Sequence, residues 1–555
     1  CREAAMSEDY VELVFQRRSD GTMPMPVEYP ICFQEISNRD ILVFVRVPEF
    51  ESSLSVFSFF SWENIPVLYG LAVDAMGITD ARDLLDMPLD GTGVRIGIVD
   101  TGIDYLHPCF RYENGSSKIV SIWDQEGMDG EPPADSFYGR EYTREEIETA
   151  IRAQEAGEDP YAIVAERDRN GHGTYIAGVA AGRRDSQQGF SGAAPEAELI
   201  IVKLKQAKRV LRRHYGVPED AVCFQHTDIQ QGISYLVKKA EGHPLVVLLA
   251  LSSNFGPHDG NSKLEQAIDS YQRQPGMIFV GAGGNQGDTA MHTSGQLAAA
   301  EVEFYVGEGE RALLLTAWMK VPDQFSLSMT TPRGYEIERI PRGIGIMSEK
   351  RIPIENTIVS VEYIQGTNWN GEQGAVIRLE NPTAGLWRIQ LYGDSILNGR
   401  YDIYMPLRQW TRPDTRFLSA DPERTVTMPG TAGSILTIGG YQHLTQSLYP
   451  PSGRGPTRQE ILKPDLVAPA VGIFGPVSPE GYQERNGTSA AAALAAGGTA
   501  QLLQWAIEYG NSPNIGSAGL KAMLYRGAIR RTEILYPNNR WGYGQMNVFQ
   551  SIEKS

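Results

Sequence analysis

The sequence predicts an α/β layered fold, a parallel sheet flanked by helices and interrupted by a second, all-β unit. Three observations predict it. Strand-length apolar runs, VRIGIV (94–99), ELIIVKL (198–204), LVVLLAL (245–251), MIFVGA (277–282) and SILTIGG (434–440), show little polar alternation, as strands buried on both faces do. Among them TDIQQGISYLVKKAEG (227–242) sets Ile229, Ile233, Leu236 and Val237 on one helical face, with Thr227 or Asp228 able to cap its start. From about 295 to 425 the pattern becomes short alternating runs such as EVEFYV, RALLLTAW, TIVSVEYI and GLWRIQLYG, broken by Gly, Pro and Asn, which predicts a β-sandwich.

A chain of 555 residues exceeds what one hydrophobic core supports, so several domains are expected. Residues 1 to about 69 hold YVELVFQRR, ILVFVRV and VFSFFSW, enough for a small strand-rich N-terminal unit. The division expected is 1–70, 71–294, 295–425 and 426–555, with the second and fourth segments forming one α/β domain around the inserted third. An acid-rich stretch, 125–170, reads as a surface excursion with one helix at 143–155.

The formal net charge is −18, which disfavours nucleic acid and anionic membrane surfaces, since Lys and Arg must neutralise phosphates to bind either. KLKQAKRVLRRH (203–214) is the one basic run and reads as a solvated surface segment. No apolar run reaches the length of a membrane span. Cys1, Cys32, Cys109 and Cys223 are far apart with no CxxC pair, so free thiols are expected. The N-terminal CREAAMSEDY has charges and no apolar core of a secretory signal, and it leaves export open.

Three short motifs carry the chemistry. VDTGID puts Asp100 at the carboxyl end of a strand, RNGHGTYIAG (169–178) puts His172 between glycines at a helix start, and NGTSAAAALAAGG (486–498) puts Ser489 at the mouth of another helix. Such residues can converge beyond one edge of a parallel sheet, where ligands of open α/β folds bind. A serine hydroxyl becomes a useful nucleophile when a neutral imidazole takes its proton and a carboxylate holds that imidazole. The developing oxyanion needs donors fixed in advance; Asn285 in GAGGNQG (281–287) and the Ser489 N–H are placed to supply them.

In the order VDTGID, NGHGT, GAGGNQG and NGTSAAA, the motifs resemble the subtilisin-like serine proteases (subtilases), as do SGAAPEAELIIVKL, SGRGPT and KPDLVAPA. The resemblance covers roughly 75–295 and 430–530 and implies a serine endopeptidase of Asp100, His172 and Ser489, assisted by Asn285. It also implies substrate contacts at Ser252, Ser253 and Asn254, with Gly283 and Gly284 lining the same pocket; Asn254 stands where many members have glycine and would restrict bulky side chains. Asn285 and Ser489 lie 204 residues apart, more than a minimal subtilase uses there, and the predicted sandwich fills the difference.

The N-terminal unit, the excursion and the insert, with SEDY and NPTAGLWRIQLYG, resemble the clostridial spore-germination (Csp) branch, which implies a retained prodomain and a jelly-roll insertion. From that follows the expectation that the chain cuts itself between Tyr69 and Met76 and keeps the severed prodomain non-covalently in its cleft. The partners implied are a protein or peptide substrate and this prodomain. One departure stands out: Ala493 occupies the position, four residues after the serine, where subtilases commonly have a helix-kinking proline. A non-catalytic scaffold or sensor of the same fold is the competing reading, and a glycan-binding sandwich a third. No cofactor is required; structural calcium occurs in such proteins, but no Asp-x-Asp-x-Asp-Gly loop is present.

Overall fold

The computed structural model describes residues 1–16, 32–37, 40–48, 50, 65–71, 89–297, 300–343, 347–364, 372–479 and 481–555. At its centre is a nine-stranded sheet. Its order runs Ser447–Leu448, Leu436–Gln442, Met277–Ala282, Leu245–Leu249, Arg95–Asp100, Glu198–Lys203, Ile119–Asp124, Arg140–Thr143, with Leu466–Pro469 also paired to Leu436–Gln442. The six strands from Leu436–Gln442 to Ile119–Asp124 are mutually parallel, with Asp100 opposite Lys203 and Leu249 opposite Gly281. Burial of Ile96, Ile98, Val246, Leu248 and Val280 against one helical layer, and of Val99, Val202, Val247 and Leu249 against the other, explains their unalternating apolar runs.

Two helices on one face matter most for function. The histidine helix, His172–Ala181, and the serine helix, Thr488–Leu503, pack on each other, made of small residues that let the backbones approach. Gly178 and Gly497 sit in this layer: a Cβ on Gly497 would lie 2.6 Å from the Ala180 carbonyl oxygen. The serine helix runs unbroken through Ala493 and passes into a π-helical turn at Gln504–Glu508.

The described residues between 292 and 417 form two antiparallel sheets. One has six strands, with His292–Gln296, Arg400–Tyr404, Ala312–Lys320, Glu372–Glu380, Thr357–Ile364 and Met347–Ile352 in that order; the other has five, centred on Gly385–Ser395. Their facing side chains, among them Leu315, Leu327, Ile377, Trp387 and Ile403, make a core of their own. A buried ionic knot ties this unit to the parallel sheet's domain: Arg458 Nε lies 2.9 Å from Asp402 Oδ2, and its Nη1 lies 2.8 Å from Glu372 Oε2.

At the N-terminus, Tyr10–Gln16, Asp40–Arg46 and Cys32–Glu35 form a small antiparallel sheet. VFSFFSW lies outside the described residues. Cys1 and Cys32 form a disulfide, Cα atoms 5.6 Å apart, which corrects the expectation of free thiols; only Cys109 and Cys223 are free. Distance in sequence concealed the pairing, because the short helix Arg2–Met6 folds back beside the sheet.

Three further expectations are corrected. The basic run is not simply solvated: Lys205 and Lys208 are buried, with Lys205 Nζ 2.8 Å from Asp228 Oδ2 and 3.3 Å from Glu12 Oε1. Opposite charges arriving from two distant elements make that burial tolerable. The helix predicted at 227–242 spans His226–Lys239 without a side-chain cap, so Asp228 is not a cap; it faces Lys205 and accepts from the Tyr138 hydroxyl. Nor is 125–170 only a surface excursion: Arg140–Thr143 is an edge strand, and the helix Arg144–Glu155 buries Ile147, Ala150 and Ile151 under a Thr143–Glu146 capping box. No helix among the described residues is long and apolar enough to cross a membrane.

Candidate active site

Asp100 is the last residue of its strand and His172 the first of its helix, so the sheet's carboxyl edge and a helix start deliver them to one place. The imidazole Nδ1–H donates to Asp100 Oδ1 at 2.7 Å, and both side chains are about 1% exposed. Asp100 Oδ1 also accepts from Thr101 N at 2.8 Å. His172 Nε2 has no hydrogen-bond partner among the described residues, which leaves that nitrogen as the one able to take a proton.

The glycines flanking His172 have separate causes. Gly171 adopts φ +77°, a left-handed conformation that suits glycine. Gly173 touches the preceding strand's exit so closely that a Cβ would lie 2.1 Å from the Gly102 carbonyl oxygen. This close approach allows strand end and helix start to meet.

Asp168, which sequence reasoning missed, holds the meeting point. Its Oδ1 accepts from Thr101 Oγ1 at 2.9 Å and Gly171 N at 2.8 Å, and its Oδ2 from Thr174 N at 2.8 Å and Thr174 Oγ1 at 2.7 Å. Thr101 Oγ1 in turn accepts from Gly173 N at 2.9 Å. A carboxylate saturated in this way stays fixed, and it ties the residue after Asp100 to both sides of His172. The signal was available in ERDRNGHGT as an acid four residues before the histidine. Nearby Glu166 is fully buried with Ile103 N on its Oε1, and burial holds its carboxyl well above the usual carboxylate range.

Ser489 is the second residue of the serine helix and is buried. Its neighbour Thr488 donates from N and Oγ1 to Asn285 Oδ1, at 3.1 and 3.0 Å, which brings Asn285 to the start of that helix and fixes which way its amide faces. On the other side Arg485 Nη1 reaches the Gly171 carbonyl at 3.4 Å, linking the approach to the serine helix with the residue before His172. A helix start also favours negative charge, through its unpaired N–H groups.

The five residues expected to contact substrate pack against residues 405–438. Ser252 ends the short strand Leu251–Ser252 and its Oγ accepts from Thr427 Oγ1 at 3.0 Å. Ser253 exchanges backbone bonds with Met428, and Asn254 turns its amide to the Met405 carbonyl at 3.2 Å, at the end of the inserted sandwich. Gly283 N donates to Ile438 O; Gly284, at φ +86°, is so close to Thr427 that a Cβ would lie 2.3 Å from its Oγ1.

Strand Leu68–Leu71 from the N-terminal part lies in this region. It pairs antiparallel with Leu251–Ser252 on one edge, Gly70 opposite Ser252, and with Phe224–Gln225 on the other, Tyr69 opposite Phe224. His226 closes the end of the pairing, its N–H donating to Val67 O and its Nδ1 accepting from Val67 N, each at 2.9 Å. Among the described residues no group of three or more His, Cys, Asp or Glu is placed to hold a metal ion.

A parallel α/β sheet presenting an Asp–His pair and a helix-mounted serine beside an asparagine defines a class, and comparison with known proteins gives the same one. The chain belongs to the subtilase family, whose model matches residues 91–307 and 414–544. It is similar to thermitase of Thermoactinomyces vulgaris, 27% identical over 201 residues, 36% of this chain and 50% of that protein. It is similar also to the minor extracellular protease Vpr of Bacillus subtilis, 23% identical over 507 residues, 86% of this chain and 54% of the relative. The chain thus spans about half the length of these curated relatives. The structure of the Clostridium perfringens CspB protease matches with a TM-score of 0.74 at 29% identity, covering 84% of this chain and 93% of that one.

Proposed function

We propose that the chain is a serine endopeptidase acting through Asp100, His172 and Ser489. The observation that carries this is the 2.7 Å bond from His172 Nδ1 to Asp100 Oδ1 between two buried side chains. Asp100 fixes the tautomer that leaves Nε2 basic, and it stabilises the imidazolium that forms. Ser489 Oγ bonds to the scissile carbonyl carbon as its proton passes to His172 Nε2. Asn285 and the Ser489 N–H hold the oxyanion; the C–N bond then breaks as the imidazolium returns the proton to the leaving amine. Water attacks the acyl-enzyme by the same route and restores Ser489. A labelled fluorophosphonate is expected to modify Ser489, and its failure to do so once the cleft is open would count heavily against the proposal.

The same reading makes residues 1 to about 70 a prodomain that the enzyme severs and retains. Its support is Leu68–Leu71, which adds to Leu251–Ser252 as an extended peptide substrate would. Docking of the unit through Glu12, Lys205 and Lys208 supports retention. The expected cut falls between Tyr69 and Met76, and residues 72–76 of that window lie outside the described residues. Mass spectrometry of the purified chain locates the cut.

A further inference from the structure

Gly70 is the middle of the strand lying in the cleft, and nothing in its backbone requires glycine. It is ordinary extended strand, absent from the left-handed positions. What excludes a side chain there is a wall from the far end of the inserted sandwich: a Cβ on Gly70 would lie 2.8 Å from Trp410 Cζ2, 3.0 Å from Leu407 Cδ1 and 3.1 Å from Gln409 Nε2. Real Cβ contacts are essentially never as short as the first of these.

The wall cannot easily retreat. Trp410 is 3% exposed, its ring stacks on Phe255 with centroids 5.7 Å apart, and it ends a tight 3-10 turn, Arg408–Trp410. That turn is anchored by Arg408, whose N–H donates to Gln286 Oε1 at 3.1 Å, one residue from Asn285, and whose Nη1 donates to Thr415 O at 2.6 Å. Gln409 Nε2 also donates to the Leu71 carbonyl at 3.2 Å, so the wall grips the next residue of the strand while pressing on Gly70.

We infer that Trp410, backed by Leu407 and Gln409, selects glycine at one position of any extended peptide that adds to Leu251–Ser252. The inserted sandwich thereby sets substrate choice, and the substrate class is a peptide with glycine between larger residues, as in Leu68–Leu71. As a statement about substrates this rests on the peptidase reading above; as a statement about the strand it does not. One added methyl group against an immobile wall is worth about tenfold or more in discrimination.

The test uses the full chain in two arms. First, deuterium exchange at residues 67–71 is followed in a Ser489→Ala background, where no cutting alters the strand. Gly70→Ala is expected to speed exchange at least tenfold, and adding Trp410→Ala to restore most of the protection; unchanged protection in Gly70→Ala overturns the inference. Should the tryptophan variant fold poorly, Leu407→Ala relieves the same wall more gently and is expected to restore part of the protection. Second, with Ser489 intact, Gly70→Ala opens the cleft to added peptides containing Leu-Tyr-Gly-Leu or Leu-Tyr-Ala-Leu. A kcat/KM at least tenfold higher for the glycine peptide is expected, and equal values overturn the inference. If neither peptide is cut and Ser489 takes no fluorophosphonate, the peptidase reading fails, while the exchange arm still decides whether the wall selects glycine.

Discussion

Asp168 Oδ1 bridges Thr101 Oγ1 and Gly171 N, the neighbours in sequence of Asp100 and His172. The Asp100–His172 pairing is therefore held by a second carboxylate that grips the residue beside each partner. Asp168→Asn puts an amide where backbone and hydroxyl donors converge, leaving buried N–H groups unsatisfied at about 1–3 kcal/mol each. The expected result is a lower unfolding midpoint together with a kcat reduced at least tenfold and KM little changed. Steady-state kinetics beside urea titration check this; lost stability with full kcat would make Asp168 structural only.

Asn285→Asp keeps the oxygen that Thr488 uses but removes the amide donor and adds negative charge. If Asn285 holds the oxyanion as proposed, kcat drops by about 10²–10³, the scale of removing one oxyanion-hole donor, with the fold intact. Turnover of a peptide library measures it.

Arg458→Met addresses the seam between sandwich and α/β domain. It takes one guanidinium from two buried carboxylates, while Asp402 keeps His292 and Arg424 and Glu372 keeps the Gln459 amide, so the cost is at most the roughly 3–5 kcal/mol of a fully broken buried pair. Denaturant unfolding is expected to become less cooperative, with the sandwich separating from the parallel sheet; a variant as stable as the parent would refute this.

Acid should loosen the strand in the cleft. Burial, then the charge of Lys263, lowers the His226 pKa from its ordinary 6.5 to about 3, and its neutral Nδ1 accepts from Val67 N. A histidine with a depressed folded pKa contributes stability that is complete above about 6.5 and is lost as pH falls toward about 3. Amide exchange at Val67 is expected to accelerate through that window relative to core amides, and to follow pH less in His226→Asn.

How much of this was legible in sequence depended on how local each cause is. Asp100 ends a strand, His172 and Ser489 lie in the first turn of a helix, and Asn285 follows a strand end by three residues, each within a short glycine-containing motif, so residue type and element boundary were visible together. The sandwich strands were readable from their alternation. Lys205 was misread as solvated because Glu12 lies 193 positions away, and no local pattern announces a buried partner. The Cys1–Cys32 disulfide was hidden for the same reason. Trp410 meets Gly70 only after the whole insert has been traversed, and Gln409 finds Leu71 across 338 positions.

The most direct check is the intact mass of the purified chain beside its Ser489→Ala and His172→Ala variants. The account predicts a parent severed once between Tyr69 and Met76, with both fragments co-purifying, and two variants that remain whole. A parent that stays uncut, or variants that are cut at the same place, would contradict it.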